Sequence, residues 1–236
     1  MKVDSVKVFQ DEQRDIFASV HKLRTKSENS KTGDMAGLYI LPLSDSPTES
    51  IKSKTDDRQC GDCPLKRTIC YVNPVSTNSP WHKIHSEPVQ DLPLTIDKPL
   101  RLGVYGDPAF VPRSILRQMV KSAPRHTGYT HQWLNVHKAY SKYLMASIDD
   151  LTAKREGVTS VELKQQANDK GYRTFRVVQE ASELTSDEIL CPYETHNVQC
   201  ADCSLCDGTY RSKGRKNIAI IIHGPQNKVK TYQKGA

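Results

Sequence analysis

Residues 100–120 read LRLGVYGDPAFVPRSILRQMV, and this stretch decides the fold class. Its first six residues are a short apolar run of the kind that forms a buried strand, and the run stops at Gly106-Asp107-Pro108. Pro112 stands where a helix can begin, and Ile115, Leu116, Met119 and Val120 then recur at helical spacing. A strand that passes through a glycine turn into an amphipathic helix is half of a βα unit, the building block of parallel sheets.

The same alternation continues on both sides. Residues 37–43 (GLYILPL), 126–131, 143–148, 172–178 and 218–223 (IAIIIH) read as further strands, 133–140 as helical, and Thr159 or Ser160 as the cap of a helix through Asn168 that stops at Gly171. About six strands separated by helices predict an α/β fold with a largely parallel sheet. Eight would close a barrel, so the expectation is a partial or open (β/α) barrel carrying cysteine-rich metal-binding loops. Ligands of such folds sit at the carboxyl ends of the strands. That places Asp107, Tyr129, His131, Ser147, Asp149, Arg173, Arg176 and His223 around one mouth.

The flanks differ in character. Residues 1–35 are polar, with a short helix expected around 15–23, and residues 225–236 form a basic tail. Residues 36–224 make up a single α/β domain. Of the 236 residues, 36% are hydrophobic and 26% charged, which implies a lean core supplemented by something other than apolar burial. No run approaches the roughly 18 apolar residues of a membrane span, and the first residues, MKVDSVKVFQDEQRD, are too polar for a secretion signal. The expectation is a soluble, cytoplasmic protein with no membrane partner. There is no collagen repeat and no heptad.

Formal net charge is +7 and the pI about 9.0, which favours acidic partners such as nucleic acid. The surplus concentrates in Arg211, Lys213, Arg215, Lys216, Lys228, Lys230 and Lys234. The seven cysteines say more. They fall in two tight groups, Cys60, Cys63 and Cys70, then Cys191, Cys200, Cys203 and Cys206. An odd count in a reducing compartment argues for metal ligands rather than disulfides. Three thiolates can hold three corners of a [4Fe–4S] cubane, leaving one iron open, or three positions on Zn2+, with His82 or His85 as the fourth ligand. The second group, with its tandem C-x2-C-x2-C, resembles bacterial ferredoxin spacing. Four thiolates satisfy either a closed zinc site or a fully ligated cubane, and the tandem spacing favours iron–sulfur.

With these motifs in order, the sequence resembles a small, divergent member of the radical S-adenosylmethionine (radical SAM) superfamily. A three-cysteine motif follows the first strand of the α/β domain. Gly106-Asp107-Pro108 is similar to the Gly-Gly-Glu-Pro turn that meets the amino group of the methionine moiety, and Ser147-Ile148-Asp149 to a Ser-x-Asp element near the ribose. The resemblance implies cofactor contacts from Gly106, Asp107, Pro108, Ser147 and Asp149, and an auxiliary cluster on the last four cysteines. It further implies an electron donor of ferredoxin or flavodoxin type, with Tyr129, His131, Arg173, Arg176 and His223 at the substrate end. The spacing departs from the superfamily pattern: it is C-x2-C-x6-C rather than C-x3-C-x2-C, and the aromatic Tyr71 follows the third cysteine instead of preceding it.

More closely, NSKTGDM (29–35), CGDCP (60–64), CYVN (70–73), YGDP (105–108), GYTHQW (128–133), MASID (145–149), GYRTFRV (171–177) and the final HG (223–224) resemble an uncharacterised cysteine-rich family of bacteriophages and bacteria. It is similar to the mycobacteriophage gene product 88 group. That resemblance implies a phage or prophage origin and a bacterial or phage-infected host cell.

Three functional classes follow: an iron–sulfur enzyme of radical SAM type, a zinc-stabilised nucleic-acid- or protein-binding module, and an iron–sulfur protein that only transfers electrons or senses redox state. In the second class the cysteines would be staples, the basic C-terminal region would touch phosphates, and Tyr71, Trp81, Tyr129 and Trp133 would stack on bases.

Overall fold

The computed structural model describes residues 3–67, 69–70, 72–211 and 214–235. Tyr71 and Lys213 lie outside the described residues. The chain starts with a hairpin: β1 (Ser5–Asp11) and β2 (Ile16–His21) pair antiparallel, and β2 pairs antiparallel with β3 (Ala36–Pro42). The helix expected around residues 15–23 is therefore a strand. All six residues of β2 are buried, the pattern of an inner strand covered on both faces. Residues 5–21 thus belong to the same sheet as the α/β domain.

Between β3 and β4 (Leu100–Tyr105) lie α1 (Pro47–Lys52), α2 (Asp57–Cys60) and α3 (Pro74–Ile84). The chain then runs beside β1, where Lys7 and Val89 form an isolated bridge that partly covers the edge strand. After β4 come α4 (Arg113–Ser122), β5 (His126–Thr130), β6 (Met145–Ile148), α5 (Asp150–Arg155), α6 (Ser160–Asp169) and β7 (Thr174–Val178). The helix expected over 133–140 is instead two short 3-10 turns, Gln132–Leu134 and Lys138–Lys142. Thr159 does cap α6, in a reciprocal pair with Glu162.

Strands β3 to β7 stand side by side in sequence order, each parallel to the next. The chain next passes to β8 (Glu188–Leu190) at the far edge, through α7 (Pro192–His196) and α8 (Cys200–Cys203), and back to β9 (Asn217–Ile221), which lies between β7 and β8. The molecule is α/β, with a nine-stranded, mostly parallel sheet that does not close. The six expected strands are β3, β4, β5, β6, β7 and β9; the hairpin and the three-residue β8 are additional. The basic tail forms α9 (Gln226–Gly235).

The sheet's two faces have different tasks. On one, Leu116, Met119 and Val120 of α4 pack against Leu38, Ile40, Leu100 and Leu102, while Ala153, Leu163 and Ala167 of α5 and α6 pack against Ala146 and Ile148. The other face carries Phe17, Leu41 and Tyr105 with Cys60, then Tyr129, Met145, Phe175, Ile218 and Ile220 with Cys191 and Cys206. The long β3–β4 connection carries Cys60, Val72, Trp81 and Ile84 on this second face before it passes the β1 edge at Val89, and handedness explains the side taken by the second group. Right-handed crossovers that advance along a sheet keep their helices on one face, and a crossover that steps back leaves its connection on the opposite face. The step from β8 back to β9 is such a reversal, and it delivers the four-cysteine loop to the face without α4–α6.

Candidate metal centres

Cys60 is the last residue of α2, and Gly61 ends that helix at φ +56. A side chain at Gly61 would run into Gln132 at 2.6 Å. The loop carrying Cys60, Cys63 and Cys70 is tied down through its carbonyls. Gln132 Nε2 donates to Cys60 O at 3.4 Å and Arg155 Nη1 to Asp62 O at 3.0 Å. Lys66 and Lys228 donate to Gly61 O and Cys70 O. The turn after β4 supports it from below: Asp107 N donates to Gln59 O at 2.7 Å. Gly106, at φ +72, lies so close to the chain that a Cβ would meet Ile40 O at 2.5 Å. Burial pushes the Cys60 thiol up, and the neighbouring Cys63 and Cys70 add to that rise. Cys70 is raised too, first by burial.

Asp107 is buried, and both its oxygens are engaged within the protein. Oδ1 accepts from Ala109 N at 2.9 Å and Thr130 Oγ1 at 2.8 Å, and Oδ2 accepts from His131 N at 2.8 Å. It caps the turn Pro108–Phe110 and bolts β4 to β5. Asp149 caps α5, accepting from Thr152 N and Oγ1 at 2.8 and 2.9 Å. His131 comes to it from β5, with Nδ1 3.6 Å from Asp149 Oδ2. Burial opposes charge on both. Their mutual attraction, with Cys63 beside His131, prevails: the imidazole is held well above its usual value and the carboxyl below its own. Ser147 shares a strand face with Met145, and its carbonyl accepts from Trp133 Nε1 at 3.1 Å.

The second group is gathered by several elements. Cys191 follows β8 and donates its N–H to Ala219 O at 2.8 Å, and Gly128 N donates to Cys206 O at 2.9 Å. Cys200 N and Ala201 N donate to Lys31 O and Thr32 O at 3.1 and 2.9 Å. The segment 29–35 therefore backs this loop. Asn197 and Ser204 take left-handed conformations and end α7 and α8, which turns the chain between successive cysteines. Cys206 is raised by burial, partly offset by Tyr129, with Cys191, Cys200 and Cys203 contributing as like charges. Tyr129 is half-buried, its ring 4.5 Å from that of Phe175.

Three expected mouth residues stand elsewhere. Arg173 precedes β7 at its amino end, donating to Leu205 O, Gly208 O and Lys216 O at 2.7, 3.0 and 2.6 Å. It fastens the second cysteine loop. Arg176 lies on the helix-covered face in a bidentate pair with Glu188, at 2.8 and 2.7 Å. His223 is exposed, between Lys31 Nζ at 3.0 Å and Glu194 Oε1 at 3.4 Å. Arg173 thus lies at the amino end of β7 and Arg176 in its middle, because a run of alternating residues does not mark where along it the paired strand starts and stops.

His85 stacks on Trp81 with ring centres 4.1 Å apart, and its Nδ1 lies 3.2 Å from Trp81 O. His131 is the histidine set beside the first thiol group. Arg125, Gln132, Arg155 and Lys228, which hold the two loops, carried no local signal in the sequence because each acts over more than 70 residues. A pocket of about 500 Å³ opens beside Gly61 and Asp62, with Arg14 stacked 3.9 Å over Phe110.

Thiols are the donors that iron–sulfur cages and structural zinc sites have in common. All seven cysteines are free. Each group is buried or half-buried on one sheet face, and its thiols influence one another electrostatically. Among the described residues, no three His, Cys, Asp or Glu side chains are close enough to hold a single ion. No helix among the described residues is long and apolar enough to cross a membrane. No protein-family model, curated protein or solved structure matches the chain.

Proposed function

We propose that the chain is an iron–sulfur protein resembling a divergent radical SAM enzyme. Cys60, Cys63 and Cys70 would hold one [4Fe–4S] cluster, and Cys191, Cys200, Cys203 and Cys206 a second. The six sequential parallel strands would form the partial (β/α) barrel around them. What supports this reading is the gathering of the thiols: Cys63 and Cys70 lie near enough to Cys60, and Cys191, Cys200 and Cys203 to Cys206, to act on it as like charges, and every one of them is buried or half-buried. The tandem C-x2-C-x2-C spacing of the second group favours a cubane over zinc.

When bound, such clusters supply one-electron chemistry, and the three-cysteine one would deliver its electron to a sulfonium compound such as S-adenosylmethionine. The chain's own residues bind and shield. Gln132, Arg155, Lys66 and Lys228 fix the first loop by its carbonyls. Arg173 fixes the second. Phe175, Ile218 and Ile220 give the second group an apolar wall that excludes water. A donor of ferredoxin or flavodoxin type would supply the electrons. The basic C-terminal region gives less support to nucleic-acid binding: Arg211, Arg215 and Lys228 donate to backbone carbonyls of the fold.

Anaerobic purification tests the proposal. The expected protein is brown, with iron and sulfide near eight each per chain for two cubanes, about half lost in Cys60→Ala/Cys63→Ala and the other half in Cys200→Ala/Cys203→Ala. Reduction in the presence of S-adenosylmethionine is expected to yield 5′-deoxyadenosine. A colourless anaerobic preparation with stoichiometric zinc would overturn the reading in favour of the zinc-stabilised module.

A further inference from the structure

We propose that His131 is the protein ligand for the corner of the first cluster that has no cysteine, with Asp149 as the carboxylate that orients its ring. The inference rests on the iron–sulfur reading and deepens it by naming the fourth donor.

The position of His131 is fixed through the backbone. Its N–H donates to Asp107 Oδ2 at 2.8 Å, and the N–H of Asp107 donates to Gln59 O at 2.7 Å, one residue before Cys60. Two hydrogen bonds thus lock the histidine to the first cysteine, although 71 positions of sequence separate them. The ring neighbours Cys63, which it attracts as an opposite charge.

One side of the ring is already committed. Nδ1 is shut off from solvent, has no hydrogen-bond partner and lies 3.6 Å from Asp149 Oδ2. Asp149 is itself held rigid by Thr152. A buried imidazole nitrogen left without a partner is costly in a finished fold. The arrangement becomes economical if metal binding draws Nδ1–H against the carboxylate and uses Nε2 as the donor, the usual carboxylate–histidine–metal geometry. The other histidines near this loop, His82 and His85, are grouped around Trp81.

A small molecule bound at the same iron would have to displace His131, so the resting cluster would be closed and protected.

The test is pulsed EPR on the reduced, anaerobically purified full chain, grown with natural-abundance or 15N-labelled histidine. The second cluster has four cysteines, so a histidine nitrogen coupling reports the first. The expected result is one coupled nitrogen that changes with the label, disappears in His131→Ala with iron and sulfide retained, and weakens in Asp149→Asn. In His131→Cys the expected spectrum is that of an all-cysteine cluster. Full iron and sulfide without histidine coupling in the wild-type chain would overturn the inference and leave the iron–sulfur reading standing. A wild-type chain without iron would overturn both.

Discussion

Arg176 and Glu188 face each other as a buried fork-to-fork ion pair, with Nε–Oε1 at 2.8 Å and Nη2–Oε2 at 2.7 Å, and neither side chain more than 1% exposed. The pair joins β7 to β8 across β9 and holds the short edge strand from which the four-cysteine loop departs. Removing one partner strands a buried charge, which typically costs about 3–5 kcal/mol. Glu188→Ala is expected to destabilise the protein by that much in urea denaturation. The Arg176→Met/Glu188→Leu double variant should lose far less than either single change. Similar losses in all three would show that the pair's charges are irrelevant.

Arg173 predicts a separable effect on the proposed second cage. Its guanidinium satisfies three carbonyls of the loop and its return segment, Leu205, Gly208 and Lys216. Lysine keeps the charge but loses the fork. Arg173→Lys is expected to lower stability by about 1–3 kcal/mol and to release iron from the second group faster than from the first. Iron-release kinetics with a chelator check this, and uniform release from both groups would contradict it.

Two glycines make a controlled comparison. Gly106 and Gly171 both have left-handed backbones, at φ +72 and +91, but only Gly106 is crowded, with Ile40 O at 2.5 Å from a built Cβ and nothing near Gly171. Gly171→Ala should cost only the conformational strain, about 1–2 kcal/mol. Gly106→Ala should cost more, because the backbones of Ile40 and Gln59 must also move, and that displaces the turn beneath Cys60. Thermal denaturation of the two variants decides the order.

Acid sensitivity should come partly from two histidines. His21 and His126 are buried, and burial, ahead of every other influence, lowers both to about 4, against about 6.5 in the unfolded chain. The unfolded state therefore binds more protons between these values. Stability is fully present above about pH 6.5 and is lost as the pH falls toward 4, by roughly 3 kcal/mol per histidine at the limit. His126→Gln should flatten the stability profile over that window. An unchanged slope between pH 6.5 and 4 would count against it.

Much of the fold was legible because buried parallel strands are written as short apolar runs. Residues 100–105 and 218–223 show this, and the Thr159 cap was equally local. The hairpin was not, since the apolar and polar residues of 15–23 fit a helix period as readily as a strand. Only pairing with β3 settled it. Glu188–Leu190 is too short to carry any period.

The sequence by itself determined the chemistry on offer: two groups of close-set thiols, a βα succession, and turns at Gly106 and Gly171. Those follow from spacing along one chain, which local sterics and composition control. Only the tertiary structure decided that both thiol groups share one sheet face, that Arg173 and Arg176 serve as fasteners, and that His131 stands between Cys63 and Asp149. These depend on the reversal at β8–β9, on the course of the long β3–β4 connection, and on contacts between segments more than 10 residues apart, and often more than 70, which no local pattern encodes.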